Sequence, residues 1–432
     1  MTTSPDPQPP KFHQGPRDFC TPPQTTLRIP SPGPHPDKPE LRLESVLIPF
    51  SVMLIGAILS ISLMNTGPLA LVGVLMAAGG AIVTVTGFIR QRSEFKRKVA
   101  LRETQFRQIL AEREATAVAL RAQTQACLMQ NDPDIDGCRQ LALSRDPVRL
   151  WARIDNDVDF LRVRVGLGVL PFQVKFELPS QMNALVKDPF EESAEALARR
   201  FQDVSDVPVL LDLQAAGVCG IAGERGKTVA TTRAIALQLA THHSPETLRL
   251  AAVYPGREAH EWAWMRWLPH VWRSDRQLRY LAADHVTAQT MLDDIAGILR
   301  QRDNQLQTRR DLNAALGWPV SYVIFVADAA ALNPETRRML TERGPQLGFH
   351  AIFLAGREAE LPRECGAVIT TDPDHVLHLR HDQHQAIGYR PDLVSLEVAD
   401  EFARLLAPLR FESSAGAIPN LVSLFDLLEI NR

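Results

Sequence analysis

The sequence predicts a membrane protein made of a two-helix transmembrane hairpin, a helical stalk and an α/β domain with a mainly parallel sheet. Residues 46–64 and 68–89 contain no charged side chain, and a membrane-spanning helix needs about 20 mostly apolar residues. Residues 90–130 lack glycine and proline and are rich in helix-forming residues, which predicts the stalk. From residue 141 onward, strand patterns alternate with helix patterns, which indicates βαβ units.

The first domain in this scheme, residues 1–42, is rich in proline and poor in apolar residues. We therefore expect a disordered tail that favours the polyproline II conformation. A ligand for a proline-recognition domain is the functional alternative to a plain tether.

The predicted hairpin occupies residues 43–89, with only Asn65, Thr66 and Gly67 between its two apolar runs. A cleaved signal peptide is the alternative, but it would contain one shorter apolar run followed by a cleavage site. Basic residues flank the hairpin on both sides, and basic flanks stay in the cytoplasm. The sequence thus predicts a multi-pass membrane protein with both termini cytoplasmic.

The predicted stalk, residues 90–130, carries a thin set of apolar residues that includes Phe106 and Val118 among many charges. Two interpretations stay open, a coiled coil that binds a partner and a single amphipathic spacer that packs on its own domain. The basic residues between Arg90 and Arg102 are also expected to contact anionic lipid head groups.

The composition of the whole chain limits the functions that it can have. The formal net charge of −3 gives no global electrostatic reason for nucleic-acid binding. The five cysteines form no C-x-x-C pair, which argues against a disulfide framework or a zinc site and favours a reducing compartment.

The α/β domain is predicted over residues 140–412. Strands are expected at 160–165, 172–178, 207–213, 217–222, 248–254, 322–327, 349–355 and 367–370, and helices at 191–202, 228–241, 286–309 and 334–343.

A near match to a phosphate-binding loop lies between the strand at 217–222 and the next helix. A P-loop needs G-x-x-x-x-G-K-[ST], so that backbone N–H groups surround a phosphate, the lysine reaches it and the hydroxyl holds Mg²⁺. Gly226, Lys227 and Thr228 supply the end of this motif, but Ile221 stands at the position of its opening glycine. A side chain there is expected to crowd the path of the phosphate, so the domain is P-loop-NTPase-like with a degenerate loop.

The second half of such a nucleotide site is also incomplete. Asp328 follows a predicted strand, where an aspartate would order Mg²⁺, but Ala329 stands where a carboxylate would activate water. Three alternatives follow: a vestigial fold, binding without turnover, and an active ATPase. We expect no cofactor, no metal and no catalytic residue, with ATP–Mg²⁺ as the alternative. The weak nucleotide-binding candidates are Gly223, Gly226, Lys227, Thr228 and Asp328.

Two further clusters have both a functional and a packing interpretation. Trp262, Trp264 and Trp267 would suit base stacking, but nearby acidic residues favour a segment packed on the sheet. Histidines recur at 375, 378, 381 and 384, a spacing that favours a polar strand pair over a metal site.

Several strings resemble the N-terminal part of EccC/EssC, the FtsK/SpoIIIE-type ATPase of type VII (ESX) secretion systems. They include Leu150-Trp151, the run from Asp159 to Gly168, His243-Ser244-Pro245, the tryptophan run ending at Pro269-His270, and Gly388-Tyr389-Arg390-Pro391-Asp392. The resemblance covers residues 43–430. It implies a degenerate ATPase-like domain between a stalk and active motor domains, in a bacterial inner (plasma) membrane.

The resemblance also sets the expected function and partners. The family continues into one to three ATPase domains, whereas this chain stops at a predicted linker, residues 413–432. The chain is then either a fragment or a subunit whose motor is a separate polypeptide. We expect a membrane-anchored, non-hydrolysing platform that docks other secretion components and ATPase motor domains, in cis or in trans, as a homo-oligomer and without nucleic acid. An active FtsK/SpoIIIE-like ATP-binding translocase is the alternative.

Overall fold

The computed structural model describes residues 11–12, 17–31, 51, 54–55, 58, 62, 69–178, 189–311, 318–380 and 385–411. These residues form two compact units. The larger unit contains the described residues of 1–22, 123–171 and 203–432, and the smaller unit those of 23–122 and 172–202. The predicted linker, residues 413–432, lies outside the described residues.

The strands and helices follow one another along the chain in the following order. They are β1 (Lys11–Phe12), β2 (Thr26–Arg28), α1 (Leu69–Asn131), α2 (Ile135–Ser144), β3 (Arg162–Pro171), β4 (Lys175–Glu177), α3 (Pro189–Arg200), β5 (Asp203–Asp212), α4 (Leu213–Ala216), β6 (Val218–Ala222), α5 (Arg225–His242), β7 (Leu248–Val253), α6 (Ala259–Trp262), β8 (Leu281–Ala282), α7 (His285–Asp311), β9 (Ser321–Val326), α8 (Pro334–Arg338), β10 (Phe349–Ala355), β11 (Ala367–Thr370), β12 (Val376–Leu379), β13 (Gln385–Pro391), α9 (Leu396–Leu406) and β14 (Arg410–Phe411).

The predicted transmembrane hairpin and the multi-pass membrane location are wrong. In the part of the chain that the structure describes, no helix is both long enough and apolar enough to cross a membrane. Residues 69–89 of the second predicted span begin α1, which continues without a break through the charged stretch from Arg90 and is 63 residues long. The uncharged run is therefore one end of a longer helix whose continuation carries charged residues. Most of the first predicted span, 46–64, lies outside the described residues.

The smaller unit packs part of α1 against other segments of the chain. Phe106 is only 2% exposed, and its ring centroid lies 5.1 Å from that of Phe190 in α3. Glu114 of α1 and Arg200 of α3 form an ion pair. These contacts favour the interpretation of the predicted stalk as an amphipathic spacer that packs on its own domain.

The larger unit contains a ten-stranded sheet in the order β5-β3-β13-β12-β11-β6-β10-β9-β7-β8. The strands from β11 to β8 pair in parallel, whereas the pairings from β11 outward to β5 are antiparallel. The sheet is therefore mixed rather than mainly parallel as predicted. The parallel part brings the carboxyl ends of β6, β9 and β11 to one edge.

Two hydrophobic layers cover the parallel strands, one on each face. In β9, Val323 and Phe325 belong to the layer that includes α5 and α9, while Ile324 and Val326 belong to the layer that includes α7. This alternation follows from the two-residue period of a strand. Every residue of β6 is buried, so the strand that leads into the candidate loop lies inside the sheet, between β11 and β10.

The tryptophan run belongs to the core. Trp262 and Trp264 are 2% and 1% exposed, and Trp262 stacks on Tyr254 with ring centroids 5.5 Å apart. The structure thus favours the packing interpretation of this run. His378 lies in β12 and His375 just before it, while His381 and His384 lie outside the described residues.

The cysteine pattern argued against a disulfide framework, and the structure differs from this expectation by one disulfide. Cys20 and Cys127 form a disulfide with their Cα atoms 5.4 Å apart. The two residues are 107 positions apart in the chain, so no local spacing indicated the pairing. Cys138, Cys219 and Cys365 are buried as free thiols.

Candidate functional site

The candidate site lies where β6 ends and α5 begins. Only Gly223 and Glu224 separate Ala222 from Arg225, the first residue of the helix. A phosphate-binding loop of the P-loop type would need a longer loop to surround a phosphate with backbone N–H groups. The connection observed here is a tight turn.

Ile221 is part of the strand rather than of the loop. It pairs with Leu354 of β10 and Ile369 of β11, and its side chain is fully buried in the core. The expectation that its side chain would crowd the phosphate path is therefore wrong. The strand extends to Ala222 instead, and this extension shortens the loop.

Gly223 is required by the geometry of the turn. Its φ is +137°, a conformation that side-chain-bearing residues rarely adopt. A Cβ at this position would lie 2.8 Å from the Oδ2 atom of Asp372. The glycine therefore allows the segment after β11 to approach the turn closely.

Asp372 occupies the position that the motif would give to a phosphate. Its Oδ1 atom lies 2.7 Å from the Nζ atom of Lys227, and its Oδ2 atom accepts a hydrogen bond of 2.5 Å from the backbone N–H of Glu224. A lysine and an N–H at a helix N-terminus are the groups that bind phosphate in such turns. The anion here is a carboxylate of the same chain.

The electrostatics follow from this contact. The hydrogen bond from Lys227, assisted by the Glu224 N–H, lowers the pKa of the Asp372 carboxyl. The same hydrogen bond from the opposite side raises the pKa of the Lys227 ammonium. Both groups are therefore charged at neutral pH, and each already has its partner.

Gly226 and Thr228 contribute no free ligand to this site. Thr228 is fully buried, and its hydroxyl donates to the carbonyl oxygen of Arg225 at 2.9 Å. Gly226 lies in the first turn of α5, and a Cβ there would meet nothing closer than the Glu224 Oε1 atom at 3.8 Å. The hydroxyl expected to hold Mg²⁺ thus points back into its own helix.

Asp328 follows a different strand from the one that leads to Lys227. It follows β9, which is separated from β6 by β10, and its Oδ1 atom accepts from the Ala330 N–H at 3.1 Å. Asp328 lines a cleft of about 280 Å³ together with Tyr254 and Asp284. Lys227 does not line this cleft.

Sequence analysis missed Asp372, the residue that defines the site. A signal for it exists, because Thr371 and Asp372 directly follow the strand at 367–370 and carboxyl ends of parallel strands meet at one edge. Thr371 also bonds to the end of β6, with its N–H 3.0 Å from the Ala222 carbonyl oxygen. The neighbour relation of β11 and β6 was the missing information.

No protein-family model matches the chain. Among curated proteins it is 22% identical to ESX secretion system protein EccC of Geobacillus thermodenitrificans (strain NG80-2) over 98% of this chain, and 19% identical to type VII secretion system protein EssC of Staphylococcus aureus (strain NCTC 8325 / PS 47) over 97%. The chain spans 28% of the length of each. A solved structure of ATPases 2 and 3 of Thermomonospora curvata EccC in complex with a signal sequence peptide matches 63% of this chain and 54% of that one, at 15% identity and a TM-score of 0.38.

The sheet and the turn define an α/β protein with a mixed sheet, in which a carboxylate of the same chain contacts the lysine of the turn between β6 and α5. Its homologues are EccC and EssC proteins of type VII secretion systems, matched over most of this chain at low identity.

Proposed function

We propose that this chain is a non-hydrolysing platform of a type VII secretion system, as a subunit or a part of an EccC/EssC-type protein. The observation that supports this most is the Asp372 carboxylate bound to Lys227 and to the Glu224 N–H. An ATP phosphate would have to displace this carboxylate. It would also find a turn of two residues and a Thr228 hydroxyl that is already bonded.

The residue that follows Asp328 supports the same proposal. Hydrolysis needs a metal-ordering carboxylate and a group that activates water near the transferred phosphate. Ala329 follows Asp328 and begins a short 3₁₀ helix, so this position brings no carboxylate. We propose that the domain acts through binding surfaces, with other secretion components and ATPase motor domains, in cis or in trans, as its partners.

Nucleotide binding and turnover by the full chain test this proposal. We expect the wild type to show neither saturable ATP–Mg²⁺ binding nor phosphate release, and Lys227→Ala to behave like the wild type. Lys175→Ala, which changes an exposed lysine of β4, is the matched control. Micromolar ATP affinity that Lys227→Ala abolishes and Lys175→Ala retains would replace the platform with the ATP-binding translocase.

A further inference from the structure

A pocket rich in arginine lies at the opposite, amino edge of the parallel strands. Its volume is about 80 Å³, and Arg249, Arg273, Arg276 and Arg410 line it together with Glu246. A single water needs about 10–15 Å³ measured in this way. The pocket therefore has room for a group larger than one water, such as a phosphate.

Arg249 is the buried cation of this pocket. It is the second residue of β7 and is only 5% exposed. Within the described residues, its guanidinium makes one hydrogen bond, from Nη2 to the Ser274 hydroxyl at 3.4 Å. Burying a charge without a close ionic partner is unfavourable. Burial lowers the pKa of Arg249, and the Glu246 carboxylate of the same pocket offsets this only in part, without an ion pair at contact distance among the described residues.

The neighbouring arginines add to the unmatched charge. Arg276 is exposed and, among the described residues, forms no ion pair. Arg410 donates to the carbonyl oxygens of Ala407 and Leu409 at 3.0 and 2.9 Å, and within the part of the chain that the structure describes it forms no ion pair. Burial and the charge of Arg276 both lower the pKa of Arg410.

Arg273 differs from the other three because it is neutralised locally. Its guanidinium forms ion pairs with Asp275 at 2.5 Å and with Asp294 at 3.0 Å. The remaining charges of the lining are then three arginines against Glu246, which is exposed to solvent. Among the described residues that line it, the pocket therefore carries a net positive charge.

We propose that this pocket binds a single phosphate group, free or as a small phosphomonoester, through Arg249, Arg276 and Arg410. A guanidinium presents a planar fork of N–H donors that matches phosphate oxygens in pairs. The oxyanion supplies Arg249 with its missing partner and reduces the repulsion among the three cations. This site is separate from the Lys227 turn, where the anion is already the Asp372 carboxylate.

Titration of the full chain with inorganic phosphate tests this proposal. Binding is measured by calorimetry and by the line width of the ³¹P NMR signal. Loss of one charge-assisted contact predicts roughly tenfold weaker binding in Arg276→Gln, which corresponds to about 1.4 kcal/mol. Arg249→Gln is expected to weaken binding further. Arg300→Gln, which alters an exposed arginine of α7 outside the pocket, is expected to bind like the wild type.

The outcomes distinguish specific binding of phosphate in this pocket from nonspecific attraction of phosphate to surface arginines. Equal weakening by Arg276→Gln and Arg300→Gln, or no saturable phosphate binding by the wild type, would overturn the proposal. Because Arg276 is exposed, its variant tests the pocket even where Arg249→Gln fails to fold. Tighter binding of glycerol 3-phosphate than of inorganic phosphate would assign the group to a phosphomonoester, and the reverse order to the free ion.

Discussion

Each edge of the parallel strands carries a basic side chain, and the two side chains differ in whether an acidic partner contacts them. At the carboxyl edge, Lys227 follows β6 and contacts the Asp372 carboxylate at 2.7 Å. At the amino edge, Arg249 of β7 is 5% exposed, and among the described residues its guanidinium donates to one side chain, the Ser274 hydroxyl at 3.4 Å. Lys227, which the phosphate-loop motif identifies, is thus already paired with an acid. Arg249, which belongs to no motif, has no ion pair among the described residues. A motif identifies a cation, but the neighbouring strand decides whether that cation is available.

The largest expected effect is acid destabilisation that starts at the amino edge. His243 and His270 lie just before β7 and beside it, fully buried, and burial lowers the pKa of each to about 3. The His243 Nε2 atom accepts from the Leu161 N–H at 3.0 Å, a bond that only the neutral ring can accept.

The sign of the effect follows from proton binding. The unfolded chain protonates these rings near the ordinary pKa of 6.5, so below this pH the unfolded state binds more protons than the folded state. The buried neutral histidines therefore contribute their full stability above this pKa. The free energy of unfolding decreases as the pH is lowered below it, by about 2 kcal/mol per histidine near pH 5. Urea unfolding between about pH 7 and about pH 5 measures this loss. His260→Gln, at an exposed histidine, is expected to leave the slope unchanged, and a flat profile would contradict buried neutral histidines.

Gly223→Ala sharpens the comparison at the carboxyl edge. The substitution introduces a Cβ at a positive φ and against the Asp372 carboxylate, so we expect a loss of about 1–3 kcal/mol in the free energy of unfolding. Gly226→Ala, three residues further on in helical backbone with open space, is the matched control. It should be neutral or stabilise by about 0.5–1 kcal/mol. Equal effects of the two variants would show that the tight approach of Asp372 to the turn is absent.

The smallest expected effect concerns the Lys227–Asp372 ion pair itself. Because the pKa of Asp372 is lowered from its ordinary value of 3.8, the pair stabilises the fold above that value and is lost as pH falls further. Asp372→Asn should therefore flatten the stability profile below about pH 4 and change the melting temperature only slightly at neutral pH, since the pair is exposed. Asp374→Asn, at a neighbouring exposed residue, should leave the profile as it is. An unchanged acid limb in Asp372→Asn would mean that the pair does not form.

Much of the α/β body follows from the sequence, because its signals are local. The strands at 349–355 and 367–370 were predicted with the observed bounds, since unbroken apolar runs lie between polar turns. The site was not predictable in the same way. Asp372 is 145 positions from Lys227, and their contact depends on β11 lying beside β6.

The two errors have different causes. An uncharged stretch at 68–89 satisfies a length and composition rule for a spanning helix, but among the described residues no helix meets both the length and the apolarity that crossing a membrane requires. The pairing of Cys20 with Cys127, by contrast, depends on tertiary contact. Lipid contact by Arg90–Arg102 and a homo-oligomeric state stay predictions.

An experimental structure of the full chain determined with saturating ATP–Mg²⁺ tests the central claim most directly. The account predicts that the Asp372 carboxylate stays against the Lys227 ammonium and the Glu224 N–H, with no nucleotide at the turn. A β-phosphate bound to that N–H, with Lys227 turned toward it and Asp372 displaced, would contradict the account.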